Sequence, residues 1–359
     1  MNHQCTYNNV VINNSFNSNN NFLSSFTLYK FTANQLLKYN YGNLTDDNSS
    51  ICISHSIFSK INELDTKMTI KGTPILEFTH PYCHLTQDIL KYKYSLFHLE
   101  LMEIIKFNNW NFMLENKYNR ILIVDSMNGM KHLEFLKYYR PTATANNIIQ
   151  TSLDTWNSLT SSQMETNKFQ LIFFNCVYKQ HYAQLIQLLQ KYHIEGGTTI
   201  IKTRHMFYKQ SIELMVLLNI LYKNISIIQP TVSNIAEGYI FIVCKNRQKN
   251  INTEYNLKAL NDTTKTTTSN SSLSSLSSSY INTSSHPLFF LNKIEDMNIY
   301  FGKRQLEAMQ QYLEKSNKYH NSGNSILSTN NIKTHIKANR EKCMQWCNYI
   351  FPNRPAVAI

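Results

Sequence analysis

Four places in this chain concentrate residues that could do chemistry. In Glu195-Gly-Gly-Thr-Thr-Ile-Ile-Lys202-Thr203 a glycine turn leads into an apolar, β-branched run that ends in a lysine. That lysine is either a chemical group or simply the solvated end of a strand. In Gln229-Pro-Thr-Val-Ser-Asn-Ile-Ala-Glu237-Gly-Tyr239 a carboxylate and a phenol sit just before a second apolar run, Ile240–Lys245. A carboxylate and a glycine, in Asp125-Ser126-Met127-Asn128-Gly129-Met130, follow a third run, Ile121–Val124. His80-Pro81-Tyr82-Cys83-His84 offers metal-ligand residue types, but a zinc site needs a fourth ligand and none can be named. Cys343 and Cys347 lie one helical turn apart beside Trp346 and Tyr349, which points to burial on a helix face rather than to chemistry.

The elements that must hold these residues alternate. Short apolar strands are expected at 121–125, 171–175, 198–203, 225–229 and 240–245, with helices over 130–139, 181–192 and 206–222 between them. Strand–helix–strand alternation at this spacing predicts an α/β fold, a mainly parallel sheet with helices on both faces. The last connection, 230–239, is too short for a crossover helix, so the final strand should return antiparallel as a hairpin. Ahead of this core, 85–107 has a helical pattern with one wide apolar face. Residues 1–20 are polar and expected to be disordered, 21–110 form an extension packing on the core, and 111–247 are the core itself. The Thr/Ser/Asn-rich stretch 248–286 is a linker. The region 287–359 is helical, over 303–318 and 332–350, and docks on the core or on a partner.

Composition narrows the class. The chain has 359 residues and a formal charge of +12, from 35 Lys+Arg against 23 Asp+Glu, which favours partners that carry phosphate. The excess is spread out, with no run of five basic residues. Seven cysteines without a Cys-x-x-Cys pair fit reduced thiols in an intracellular compartment. Met1–Asn20 lacks the pattern of a secretory signal, and the longest apolar stretch, 213–222, is too short to span a bilayer. The expectation is a cytoplasmic protein with no membrane partner.

Two of these stretches together resemble the FtsJ-like family of S-adenosylmethionine-dependent RNA 2′-O-ribose methyltransferases, of the viral cap-modifying type. The Gly-Gly turn, hydrophobic strand and terminal lysine at 195–203 resemble one family segment. Gln229–Arg247 resembles the family's Lys-Pro-x-x-Ser-Arg…Glu-x-Tyr-x-Val segment, in the right order and at the right distance. The resemblance covers about a third of the chain and implies the methyltransferase variant of the Rossmann-like fold. It also implies transfer of a methyl group from a sulfonium to a ribose hydroxyl within a Lys-Asp-Lys-Glu tetrad. Together with the Asn-rich, AT-biased composition it suggests a large DNA virus as source, and a virus factory or virion as further locations.

Matched residue by residue, the tetrad is degraded. Lys202 keeps the lysine after the Gly-Gly strand. The aspartate position falls on Asn175 and the glutamate position on Tyr239, with Glu237, two residues earlier and on the same face were it in a strand, able to substitute only if the loop is rebuilt. The first lysine position falls on Glu100, with Lys91 and Lys93 as alternatives. The cofactor loop keeps Asp125, Ser126, Asn128 and Gly129, with Met130 where a second glycine is usual, and Asp154 is a candidate for holding the donor's ribose. Loss of one positioned acid–base group costs roughly 10²–10⁴-fold in rate, so little catalysis should survive several such losses. The reading is therefore a weak or inactive homologue that binds RNA or serves as a scaffolding subunit, beside an active capping enzyme or another protein. The alternatives are a divergent active methyltransferase using Lys202, with S-adenosylmethionine as cofactor, and a protein-interaction module that keeps only the fold.

Overall fold

The structure is a computed structural model that describes residues 23–28, 54–70, 82, 84–85, 90, 93–117, 119–125, 129–144, 146, 148–152, 168–178, 181–204, 206–249, 288–321 and 326–352. The expectations for residues 1–20, for nearly all of the 248–286 linker, and for His80 and Cys83 lie outside the described residues.

The strands are β1 (Leu23–Leu28), β2 (Ile121–Val124), β3 (Ile148–Thr151), β4 (Phe169–Val177), β5 (His193–Thr203), β6 (Tyr222–Pro230) and β7 (Ile240–Arg247). The helices are α1 (His55–Ile70), α2 (Leu96–Phe107), α3 (Asn111–Glu115), α4 (Gly129–Tyr139), α5 (Tyr182–Tyr192), α6 (Lys209–Leu221), α7 (Leu288–Asn321) and α8 (Ile326–Ile350). All seven strands join one sheet in the order β1-β6-β7-β5-β4-β2-β3. Strands β3, β2, β4 and β5 run parallel, while β7 lies antiparallel between β5 and β6. The fold is thus α/β with a mostly parallel sheet and an antiparallel pair at its end. Two strands exceed the five expected from the sequence. β3 is only four residues long, and β1 adds an antiparallel edge on β6 from residues whose mixed polarity gave no strand signal.

The pleat divides the core into two layers. Leu122 and Val124 of β2 join Leu185, Leu188, Ile212 and Met215 of α5 and α6, with Phe290, Ile294, Met297 and Phe301 of α7 laid over them. Ile121 and Ile123 join the other layer, with α2, Phe135 and Leu136 of α4, and Cys343, Trp346 and Ile350 of α8. Cys343 and half-buried Cys347 therefore sit on the face of α8 that meets the core. α1 packs through Ile61 and Leu64 on Met309, Tyr312 and Leu313 of α7.

Two local features decide how the site is built. The Gly196-Gly197 pair shapes β5. Gly196 has φ +74, and a Cβ on Gly197 would lie 2.2 Å from the His193 ring, so side chains are excluded at both positions. They form a bulge that moves the β4 pairing from Phe169↔His193 to Leu171↔Thr198. The second feature is α2, which starts at a capping box in which Ser95 and His98 bond reciprocally to each other's backbone N–H. Nine of its twelve residues are buried, not one face as its pattern suggested, because the sheet, α4 and α8 enclose it.

Among those nine is Glu103. Its Oε1 accepts from Thr231 N at 2.8 Å, and its Oε2 accepts from Val232 N at 3.3 Å and Trp346 Nε1 at 3.0 Å. The carboxyl thus ties α2 to the β6–β7 loop and to α8. Burial pushes its pKa up to about 7, against the downward pull of these donors. A carboxyl whose pKa is raised in the folded state stabilises the fold below its unfolded value and loses that contribution as pH rises through the folded one. Urea unfolding between pH 4.5 and pH 8 should show the wild type losing about 3 kcal/mol more than Glu103→Gln across that window. Identical pH dependence in the two proteins would refute the shift.

Candidate functional site

β2, β4, β5 and β6 all end at one edge of the sheet, and the β6–β7 loop closes over it. The crevice outside the carboxyl ends of parallel strands is where ligands bind in open α/β sheets. Most of the described polar residues singled out in the sequence come to this end, in two buried networks that both start on α2.

The first network centres on Lys202. Along β5, Ile200 faces the layer that contains α2 and Ile201 faces the other, so Lys202 points with Ile200 toward α2. It is only 5% exposed, which excludes the solvated strand end. Its Nζ lies 2.5 Å from Glu100 Oε2, and Ser233 Oγ donates to Glu100 Oε1 at 2.7 Å. The ammonium also stands 4.8 Å from the Tyr239 ring centre and 5.6 Å from that of Phe241. Burial raises the Glu100 pKa, while the Lys202 charge and hydrogen bond, and then Ser233, pull it back down. The position that the resemblance assigns to a first lysine therefore holds the counter-ion of the second.

Glu237, the substitute candidate for the glutamate position, lies on a 3-10 turn, Ile235–Glu237, rather than on a strand. Its exposed carboxylate accepts from Asn234 Nδ2 at 2.8 Å. The turn ends at Gly238, whose φ of +69 and close approach to Gln305 leave no space for a Cβ. The loop thus adopts its own compact geometry before β7 begins.

The second network centres on Asp125, 7% exposed at the end of β2. Asn175 Nδ2 donates to Asp125 Oδ2 at 3.3 Å, so the amide at the family's aspartate position turns toward the first strand. On the other side, His132 Nε2 lies 3.6 Å from Asp125 Oδ2. His132 Nδ1 meets His98 Nε2 at 2.6 Å, and His98 Nδ1 accepts from Ser95 N at 3.2 Å. Because Ser95 N–H points into Nδ1 of His98, the His98 proton sits on Nε2 and donates to His132 Nδ1, which places the His132 proton on Nε2 toward Asp125. Burial, with His132 and Lys131 nearby, holds the His98 pKa well below the usual histidine range. Ser126, Asn128 and Asp154 lie outside the described residues, and Gly129 is the first residue of α4.

His98, His132 and Ser233 were not among the sequence candidates. Ser233 lies inside the second family-like segment, and His98 stands three residues after a capping serine. His132, on an ordinary amphipathic helix, gave no signal. Among the described residues no group of three or more metal-ligating side chains converges, and no helix is long and apolar enough to cross a membrane.

The buried pair makes a quantitative statement. Lys202→Met leaves the Glu100 carboxylate without its counter-ion and should cost about 3–5 kcal/mol in urea unfolding. The double variant Lys202→Met/Glu100→Leu should recover most of that loss, giving a large coupling energy in a double-mutant cycle. A solvated lysine would instead show a change of about 0.5 kcal/mol or less and no coupling. No family model matches the sequence, and no curated protein matches it.

Proposed function

We propose that this chain is a degenerate FtsJ-like RNA ribose methyltransferase, with little or no methyl transfer, that acts as an RNA-binding or scaffolding subunit. The observation that carries the reading is the Lys202–Glu100 ion pair. To activate a ribose hydroxyl, an ammonium at this place must be reachable by that hydroxyl and tuned by groups that leave it available. Here a buried carboxylate holds Lys202 at 2.5 Å, and a substrate hydroxyl would have to displace it.

The strand arrangement supports the family reading, since an antiparallel strand inserted between β5 and β6 is the order that the methyltransferase variant uses. Of the donor-loop residues, Asp125 has its carboxylate engaged by Asn175 and faced by His132, which disfavours S-adenosylmethionine there, while the ribose-holding candidate Asp154 lies outside the described residues. RNA as partner is supported by the +12 charge, and a protein partner by the resemblance to cap-modifying systems.

Transfer of labelled methyl from S-adenosylmethionine to capped and uncapped RNA tests the reading. The expected result is no transfer above that of the Lys202→Met/Glu100→Leu variant, together with calorimetric binding of S-adenosylmethionine weaker than about 1 mM. Transfer by the wild type that this variant abolishes would establish an active enzyme instead.

A further inference from the structure

The opposite end of the sheet has a different character. β5 and β7 pair as Lys202↔Phe241 and Thr199↔Cys244, so Lys245 lies toward the amino ends of the parallel strands, away from Lys202. There Phe107 and Phe112, on either side of the α2–α3 turn, are 42% and 64% exposed. Between them Trp110 is half-buried, and Lys245 Nζ stands 4.1 Å over its ring. That ammonium is fixed by donating to Asn108 Oδ1 at 3.0 Å.

Both sides of this contact turn sharply. Among the described residues, the non-glycine residues with left-handed φ are Asn109 (φ 55) and Asn246 (φ 58), one beside Trp110 and one beside Lys245. Asparagine enters this region readily, and Asn109 closes α2 with Trp110 N donating to Ile105 O at 2.9 Å. The charge is also one-sided. Residues 106–120 carry Lys106, Lys117 and Arg120 against the single carboxylate Glu115. Lys117 and Arg120 are exposed and line a cavity of about 180 Å³. Asn119 between them donates to Met113 O at 2.8 Å, which holds this stretch under α3.

Exposed rings alone would fit any apolar partner. Exposed rings with exposed cations on the same stretch of chain fit flat π-systems joined by phosphates, as in unpaired nucleotides. We propose that this face binds single-stranded RNA, with bases stacking on Phe107 and Phe112 and phosphates lying on Lys117, Arg120 and Lys245. The choice of RNA rests on the function proposed above. The surface itself is independent of whether methyl transfer survives, since it lies at the other end of the sheet.

Fluorescence anisotropy with labelled oligouridine of about 12 nucleotides, titrated with salt, tests the surface. Phe107→Ala/Phe112→Ala should weaken binding roughly 10- to 100-fold. Lys117→Gln/Arg120→Gln should reduce the slope of log affinity against log salt by about 1.4. Thermal melts should match the wild type, and Phe112→Ala alone, at the more exposed ring, replaces the double variant if that one melts early. The proposal is overturned if both sets of variants bind as the wild type does, or if an RNA duplex of equal length binds as tightly as the single strand. Unchanged binding in the variants removes this surface alone. A wild type that binds no RNA at low salt removes both the surface and the RNA-binding part of the proposed function.

Discussion

Placing Glu100 and Lys202 together inside the protein takes two charges out of water, at several kcal/mol each, and that cost is offset only if each charge finds partners of good geometry. Glu100 finds the Lys202 ammonium on one oxygen and the Ser233 hydroxyl on the other, while two aromatic rings face the ammonium. The arrangement requires α2 to sit flat against the ends of β5 and β6, in one rotation and one register. The same helix presents His98 to α4 and Glu103 to the β6–β7 loop and α8. A rotation that kept the apolar contacts but slipped these three groups would strand two carboxylates, an imidazole and the Lys202 ammonium in the core. The polar groups of α2 therefore fix its position more sharply than its leucines and isoleucines do.

This constraint separates the two ends of the molecule. At the carboxyl end of the sheet the polar side chains are turned inward on one another. Lys202 is paired with Glu100, Asp125 is engaged by Asn175, and His98 meets His132 with its pKa lowered by burial. Such closed networks give rigidity and hold few groups ready for a substrate. At the amino end the side chains turn outward, with two exposed phenylalanines and cations around them. The first surface has the character of a core and the second that of a contact.

The layout of the sheet was legible because it follows from apolar run lengths and connection lengths. The nine residues between β6 and β7 left no space for a crossover helix, and the hairpin followed. β3 escaped notice because its four residues, Ile148–Thr151, are half polar and mostly half-buried, unlike the equally short but wholly apolar β2, and β1 because its residues are of mixed polarity. Lys202 was legible through the Gly-Gly turn, and Glu100 through its alignment with a lysine position. That the two would touch was not, since contact between residues 102 positions apart depends on how α2 is rotated. The wide apolar face of α2 suggested amphipathicity, and only tertiary enclosure made its glutamates buried. Glu237 fell in the connection between two strands, where apolar patterning carries no information about the turn that Gly238 closes.

The substitution at position 100 also has a direct electrostatic consequence under the proposed reading. Two ammonium groups about 4 Å apart at an effective dielectric of about 20 repel by roughly 4 kcal/mol, a strain that a catalytic site tolerates because the resulting shift in proton affinity serves the reaction. A glutamate in place of one lysine converts that repulsion into an attraction of similar size. Once methyl transfer is no longer required, the exchange stabilises the fold at the place where the catalytic arrangement had destabilised it, in keeping with the general opposition between stability and activity at working sites. The same exchange is self-locking. With Glu100 in place, returning Tyr239 to a glutamate would add negative charge beside a lysine that already has its counter-ion. That step would raise the cost of burial without freeing the ammonium, so under the proposed reading the ion pair itself keeps the site away from the chemistry that its sequence resembles.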